Sequence, residues 1–327
     1  MAQPEVKRFL ARRVLAMTAT ILGVTLVAFV VARAAPGDPV AVQGDLGLRA
    51  GSASIQQLRE YRRLMGLDEP ILAGYLRWLW HLLRGDLGTS FRDGRPVLSL
   101  LGEALPVTLL LSIPSLLIGY LLAVPVGIVS AARPGGWLDR SLATLAFILH
   151  SLPLQWVALV LVVWPGGFPI QGLHSEGTTS LPDLLAHLVL PVVCLSYGSV
   201  AVISRFLRSS MLEEMRQDYV RTARAKGLSE AAVILRHALP NSLLSLITLF
   251  GLTFPALASG AVIVERIFGL PGMGKLTFEA VLGRDVPVVM GAVALGGVAT
   301  ALGTLLSDLL YAAADPRISL EEARAAR

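Results

Sequence analysis

The string Gly269-Leu270-Pro271-Gly272-Met273-Gly274-Lys275-Leu276 comes close to a phosphate-binding loop. In such a loop glycine backbone N–H groups cradle a nucleotide's phosphates and the lysine reaches the outer ones. Here Leu276 stands where Ser or Thr would hold magnesium, and neither a strand nor an acidic magnesium partner flanks the string. It is therefore expected to be a turn between two apolar stretches, and the chain is expected to bind no ATP, no magnesium and no other cofactor. Other reactive side chains are sparse. Five histidines are scattered and Cys194 is the single cysteine, which offers no metal-ligand cluster, no nucleophile–base constellation and no internal disulfide. His150 and His187 fall at depth in apolar stretches, with Glu265 and Asp308 near the ends of others. A lone intramembrane histidine more often hydrogen-bonds a neighbouring helix than relays protons.

Charge concentrates instead in Arg205–Asn241, RFLRSSMLEEMRQDYVRTARAKGLSEAAVILRHALPN. Arg205, Arg208, Arg216, Arg221, Arg224, Lys226 and Arg236 stand there against Glu213, Glu214, Asp218 and Glu230. Met211–Ala225 lacks Gly and Pro and is expected to be helical, with Gly227 ending it. A further helix, Ser229–Leu239, is expected to be capped by Ser229 and stopped by Pro240. Helices this short bury little alone and need a partner's groove. Small Ala223 and Ala225 would permit close approach, while Arg221, Arg224 and Lys226 would pair with acidic groups on that partner. An ordinary solvated basic loop is the bland alternative.

The elements that must position this segment are membrane helices. Hydrophobic residues make up 54% of the chain and charged residues 16%, and the mean hydropathy is +0.67. Six stretches are long and apolar enough to span a bilayer: Phe9–Ala32, Leu105–Ala131, Ser141–Pro165, Leu185–Ser204, Leu243–Val264 and Val286–Ala312. Pro114, Pro125, Pro153, Pro191 and Pro255 interrupt them, so kinked, mutually packed helices are expected. The run Val14–Ala32 is longer than a signal-peptide core, which favours a retained helix. Lys7, Arg8, Arg12 and Arg13 place the N-terminus in the cytoplasm, and six crossings return the C-terminus there. Ala132–Arg140 and Arg205–Asn241 then lie inside; Gly166–Leu184 and the long Arg33–Glu103 lie outside.

The organisation expected is therefore residues 1–33 as cytoplasmic start and first helix, and 34–103 as an external segment. Residues 104–312 would form a five-helix core carrying the cytoplasmic loop 205–241, and 313–327 a cytoplasmic tail. In the external segment Ser54–Leu67 and Pro70–Leu83 have apolar residues at helical spacing, and Tyr75, Trp78 and Trp80 suit a membrane interface. Ala292, Gly296, Thr300 and Thr304 recur every fourth position, a face for close packing inside this subunit or against another. The basic residues lack interleaved aromatics, so nucleic acid is not an expected partner.

Arg205–Asn241 resembles the cytoplasmic loop of inner-membrane permeases of ATP-binding-cassette importers. Their pattern is Glu-Ala-Ala, three residues, Gly, nine residues, Ile, any residue, Leu-Pro. Here Arg221-Thr222-Ala223 takes the first place, Gly227 the Gly, His237 the Ile, and Leu239-Pro240 the last. Arg221 and His237 depart from the pattern, but DYVRTARAKGL (Asp218–Leu228) resembles the dipeptide/oligopeptide/nickel branch. APGDP, YLRWLW, GDLGTSF, RPVLSLL, IFGLPGMGKL and YAAADPR resemble it too, so the likeness covers nearly the whole chain.

The resemblance implies an all-α type I importer fold in a bacterial inner membrane, and a permease subunit rather than an enzyme. Its partners would be a second, related permease, two cytoplasmic ATP-binding subunits holding ATP and magnesium, and an external solute-binding protein. Residues Asp218, Tyr219, Arg221, Thr222, Ala223, Arg224, Ala225, Lys226, Gly227, Leu228, Leu239 and Pro240 would couple to the ATPases. The alternative is an ion-coupled secondary transporter or channel, which the near-absence of ionisable groups within the spans disfavours.

Overall fold

Apolar runs of this length have no water partner for their backbone groups in a bilayer, and the chain satisfies them within helices. The computed structural model describes residues 3–34, 69–163 and 166–314. Among these, the order is α1 (Gln3–Ala34), α2 (Ile71–Leu83), α3 (Val97–Ala132), α4 (Trp137–Ser151), α5 (Leu154–Val163) and α6 (Leu181–Glu214). There follow α7 (Asp218–Ala225), α8 (Glu230–Val233), a π turn (Ile234–Ala238), α9 (Leu239–Ser259), α10 (Val262–Ile267), α11 (Met273–Leu282) and α12 (Val286–Ala314). Thr89 and Pro96 form an isolated antiparallel bridge.

Among the described residues five helices are long and apolar enough to cross a membrane, or six if α4 and α5, bent by 90° at their break, form one span. The stretch expected over Ser141–Pro165 is broken at the interrupting Pro153, and sharply. Leu152 sits at φ −74°, ψ 123°, the extended conformation forced on a residue that precedes proline, here Pro153. Tyr197 Oη donates to the carbonyl of Leu152 at 2.9 Å, so a side chain satisfies a group the break leaves outside the helices. The helix in the place of the expected fifth span also differs: α9 begins at Leu239 and ends at Ser259, where Gly260 takes φ +85°. The helix expected over Ser54–Leu67 lies outside the described residues.

Contacts group the chain into two compact units, Met1–Leu105 with Leu276–Ala301, and Pro106–Lys275 with Leu302–Arg327. In the first, α2 lies where Pro70–Leu83 was expected, but its aromatic face turns to protein. Tyr75 is buried with Phe29 and Met290, its ring edge-on to Phe29 at 5.7 Å. Tyr75 Oη lies 3.0 Å from Thr25 Oγ1, while Trp80 remains exposed under the Arg84 guanidinium. Asp285, nearly fully buried, accepts from Ser90 Oγ at 2.5 Å and the Arg92 N–H at 3.4 Å.

In the second unit α6 is the central post, with α4, α5 and α9 packed on it. One apolar cluster joins Leu111, Leu190, Val192, Phe268 and Leu270; another joins Ala123, Ile203, Leu207, Met211 and Leu246. Helix–helix approach uses small residues. A Cβ on Gly303 would fall 2.6 Å from Phe254, and one on Gly251 2.6 Å from Ser307. The buried positions of α12, among them Ala294, Ala299, Ala301 and Gly303, are offset from the anticipated stripe, whose Thr304 is exposed.

Candidate functional site

The polar segment folds as a small unit on the ends of α6 and α9. The single helix expected over Met211–Ala225 is two: α6 ends at Glu214, and Gln217, extended at ψ 151°, starts α7. Good helix propensity is overridden because the break turns Val220 and Ala223 back onto Val233, where all three are buried. A straight continuation would leave them in water. Tyr219 Oη fastens the turn, donating to Glu214 and accepting from Asn241 Nδ2 at 2.8 Å. Burial, then the neighbouring Glu214 carboxylate, holds the Tyr219 hydroxyl's pKa above its ordinary value.

The end of α7 closes as expected. Gly227 takes φ +80°, its N–H donating to the Arg224 carbonyl while Leu228 N–H reaches back to Ala223. That is the paired six-to-one and five-to-two closure a left-handed residue permits, and glycine adopts it without a Cβ clash. Ser229 Oγ accepts from the Ala232 N–H and caps α8. Arg224 grips Glu230 bidentately, Nε–Oε2 at 3.1 Å and Nη2–Oε1 at 2.6 Å, which raises the guanidinium's pKa further. Pro240 does not stop the following helix. The chain stays helical from Glu230 through the π turn into α9, with Pro240 in the first turn of α9, where a missing N–H costs least.

The twelve residues singled out from sequence therefore separate by facing. Asp218, Tyr219, Arg221, Thr222, Arg224, Ala225, Lys226, Gly227, Leu228 and Pro240 are exposed; Leu239 is half-buried against the α6 cluster; Ala223 is buried. Ala223's small side chain packs within the subunit, in the contact between α7 and α8. Sequence reasoning missed its partners Val220 and Val233, although Val220 and Ala223 stand three apart on one helical face.

The stem of this segment is pinned by a charge. Asp139 Oδ1 and Oδ2 accept from Arg208 Nε and Nη2 at 2.7 and 2.8 Å, with Ser130 Oγ and the Gly135 N–H as further donors. The loop between α3 and α4 is thereby tied to α6. Only the basic residues of that loop were read from sequence, as a topology signal.

Residues 123–320 match a family described as binding-protein-dependent transport system inner membrane component, and residues 6–112 match the N-terminal family of such components. The chain belongs to this family. It is a permease subunit of an ATP-binding-cassette importer. The permease is 39% identical over 316 residues to the oligopeptide transport system permease protein AppB of Bacillus subtilis, covering 95% of this chain and 98% of that one. It is 36% identical over 314 residues to a Sinorhizobium fredii protein named "Probable peptide ABC transporter permease protein y4tP", covering 95% and 98%.

The near-phosphate loop of the permease surrounds an acidic side chain of its own. Glu265, fully buried on α10, accepts from Thr108 Oγ1 at 2.8 Å, the Ala261 N–H at 3.2 Å and the Lys275 N–H at 2.8 Å. Thr108 Oγ1 in turn accepts from the Met273 N–H at 2.8 Å. The start of α11 thus carries a resident carboxylate where a ligand anion would sit. A Cβ on Gly272 would lie 2.4 Å from Glu265 Cδ, and one on Gly260 2.2 Å from the Gly274 nitrogen, so neither site admits a side chain. Buried His187 has Nδ1 2.8 Å from the Asp183 carbonyl, a local helix contact, while His150 is exposed. Among the described residues no three His, Cys, Asp or Glu side chains are grouped to hold a metal ion.

Proposed function

We propose that this permease forms half of a peptide-translocation pathway and that α7, Gly227 and α8 dock on a cytoplasmic ATPase subunit. Its other partners are a related permease and an external solute-binding protein that delivers the peptide. The chain lies in the bacterial inner membrane with both termini cytoplasmic, and the ATP and magnesium belong to the ATPases. Peptide as substrate rests on the names of the relatives.

The carrying observation for docking is the two-faced build of the segment. Val220, Ala223 and Val233 supply a core, which leaves Arg221, Thr222, Lys226, Leu228 and Leu235 on an exposed rim of cations and apolar side chains. A folded segment presenting an exposed mixed face suits a groove with acidic walls. In complexes reconstituted with both permeases, the ATPases and the binding protein, Arg221→Glu and Leu228→Asp are expected to lower substrate-stimulated ATPase activity about tenfold, the scale of one lost interfacial anchor. Thermal unfolding of the membrane subunit should not change. Wild-type stimulated activity in both variants would overturn the docking assignment.

A further inference from the structure

We propose that Glu265 is a positioning residue for transport, pinning α3 and the start of α11 to the end of α9 opposite the docking segment; this rests on the permease reading above. α9 spans 21 residues, roughly 30 Å of helix, with the docking segment before Leu239 and the Glu265 knot just after Ser259. One continuous helix therefore connects the segment that meets the ATPase to the knot.

The knot's chemistry is one-sided. Every neighbour of the carboxylate is a donor: the Thr108 hydroxyl from α3, the Ala261 N–H at the exit from α9 and the Lys275 N–H at the start of α11. The Thr108 hydroxyl is also committed, its proton going to Glu265 and its lone pair receiving the Met273 N–H. The backbone is equally committed, with Leu270 N–H donating to the Glu265 carbonyl at 2.7 Å. Gly272 and Gly274 crowd the carboxylate so closely that a Cβ would fall 2.4 and 3.1 Å from its atoms. A fully buried acceptor-only group ringed by donors locks the body of α3, the exit from α9 and the start of α11 in one relative placement, because releasing any of them strands a buried donor or acceptor. The consequence is that a displacement of α9 is delivered to α3 and α11 together instead of being absorbed in the loop.

Glu265→Gln tests this at nearly constant volume, since its amide N–H2 must face either Lys275 N–H or the Thr108 and Ala261 donors. In the reconstituted complex, substrate transported per ATP hydrolysed is expected to fall about tenfold, as for loss of one or two buried hydrogen bonds, with ATPase turnover retained. Thr108→Val removes one donor to the carboxylate and the acceptor for Met273; it should uncouple similarly, and Thr108→Ser should restore coupling. Amide hydrogen exchange over 269–275 reads the pin without any transport assay, and both Glu265→Gln and Thr108→Val should raise it about tenfold. Should Glu265→Gln fail to assemble, the Thr108 pair carries the decision. Wild-type coupling with wild-type exchange in these variants overturns the pin, as does a Thr108→Ser no better than Thr108→Val. Raised exchange in the variants of a complex whose wild type never transports would instead remove the permease reading and leave the pin standing.

Discussion

Gly227 and Asp139 show how differently single residues announce themselves. Gly227 and Ser229 obey local rules, a left-handed helix end and a side-chain cap, and both positions could be read from neighbours a few residues away. Asp139 meets Arg208 across 69 positions and Thr108 meets Glu265 across 157, so no window along the chain shows either pair. Both contacts concern stability. Gly227→Ala is expected to destabilise α7 by about 1 kcal/mol, since open space surrounds the added Cβ and only the positive φ opposes it. Faster amide exchange confined to 218–228 would check it. Arg208→Ala should cost about 1–3 kcal/mol by leaving the Asp139 carboxylate buried and under-donated. Adding Asp139→Ala should recover part of that loss in a double-mutant cycle read by thermal unfolding. Strict additivity would mean the pair contributes nothing.

At the level of elements, hydrophobic length located the apolar helices, while the proline rules needed the third dimension. Pro153 and Pro240 look alike along the sequence. One leaves a 90° bend because the residue before it turns extended; the other enters a first helical turn behind a widened one and the helix runs on. The separation of α6 from α7 was equally hidden, since Met211–Ala225 contains only adequate helix formers. What decides it is burial of Val220 and Ala223 on Val233, a contact made by residues beyond the turn. The proposed orientation of these elements can be read by thiol labelling in intact cells. Native Cys194 is buried, so background reaction with an impermeant reagent should be low. Thr178→Cys should label from outside and Ser229→Cys should not; labelling at Ser229 would reverse the topology.

For the molecule as a whole, family and architecture were legible in the sequence because both reside in repeated apolar length and in one spaced motif. The division of labour inside the candidate site was not, because it depends on which residues face each other after folding. The same holds for the near-phosphate loop: its glycines were visible, but the acidic side chain they surround is contributed from within the chain. Purified permease is accordingly expected to bind no ATP at micromolar concentrations, and Lys275→Ala should leave that unchanged. Equilibrium binding of a fluorescent nucleotide analogue checks this, and saturable binding lost in Lys275→Ala would contradict it.

The right-angled break between α4 and α5 bears on how the chain enters the bilayer during synthesis. At 15 and 10 residues these helices are roughly 22 and 15 Å long, each short of a hydrocarbon layer about 30 Å thick. Neither half offers the insertion machinery a complete hydrophobic rod, and Cys194 Sγ and Tyr197 Oη, which contact the carbonyls of Leu154 and Leu152, sit on α6, a helix made later. Residues 137–163 should therefore wait at the membrane until α6 emerges. Glycosylation mapping of nascent chains is expected to show this segment crossing poorly when translation is truncated before Leu181 and efficiently once Glu214 is included. Equal insertion at both lengths would show that the pair integrates without its neighbour.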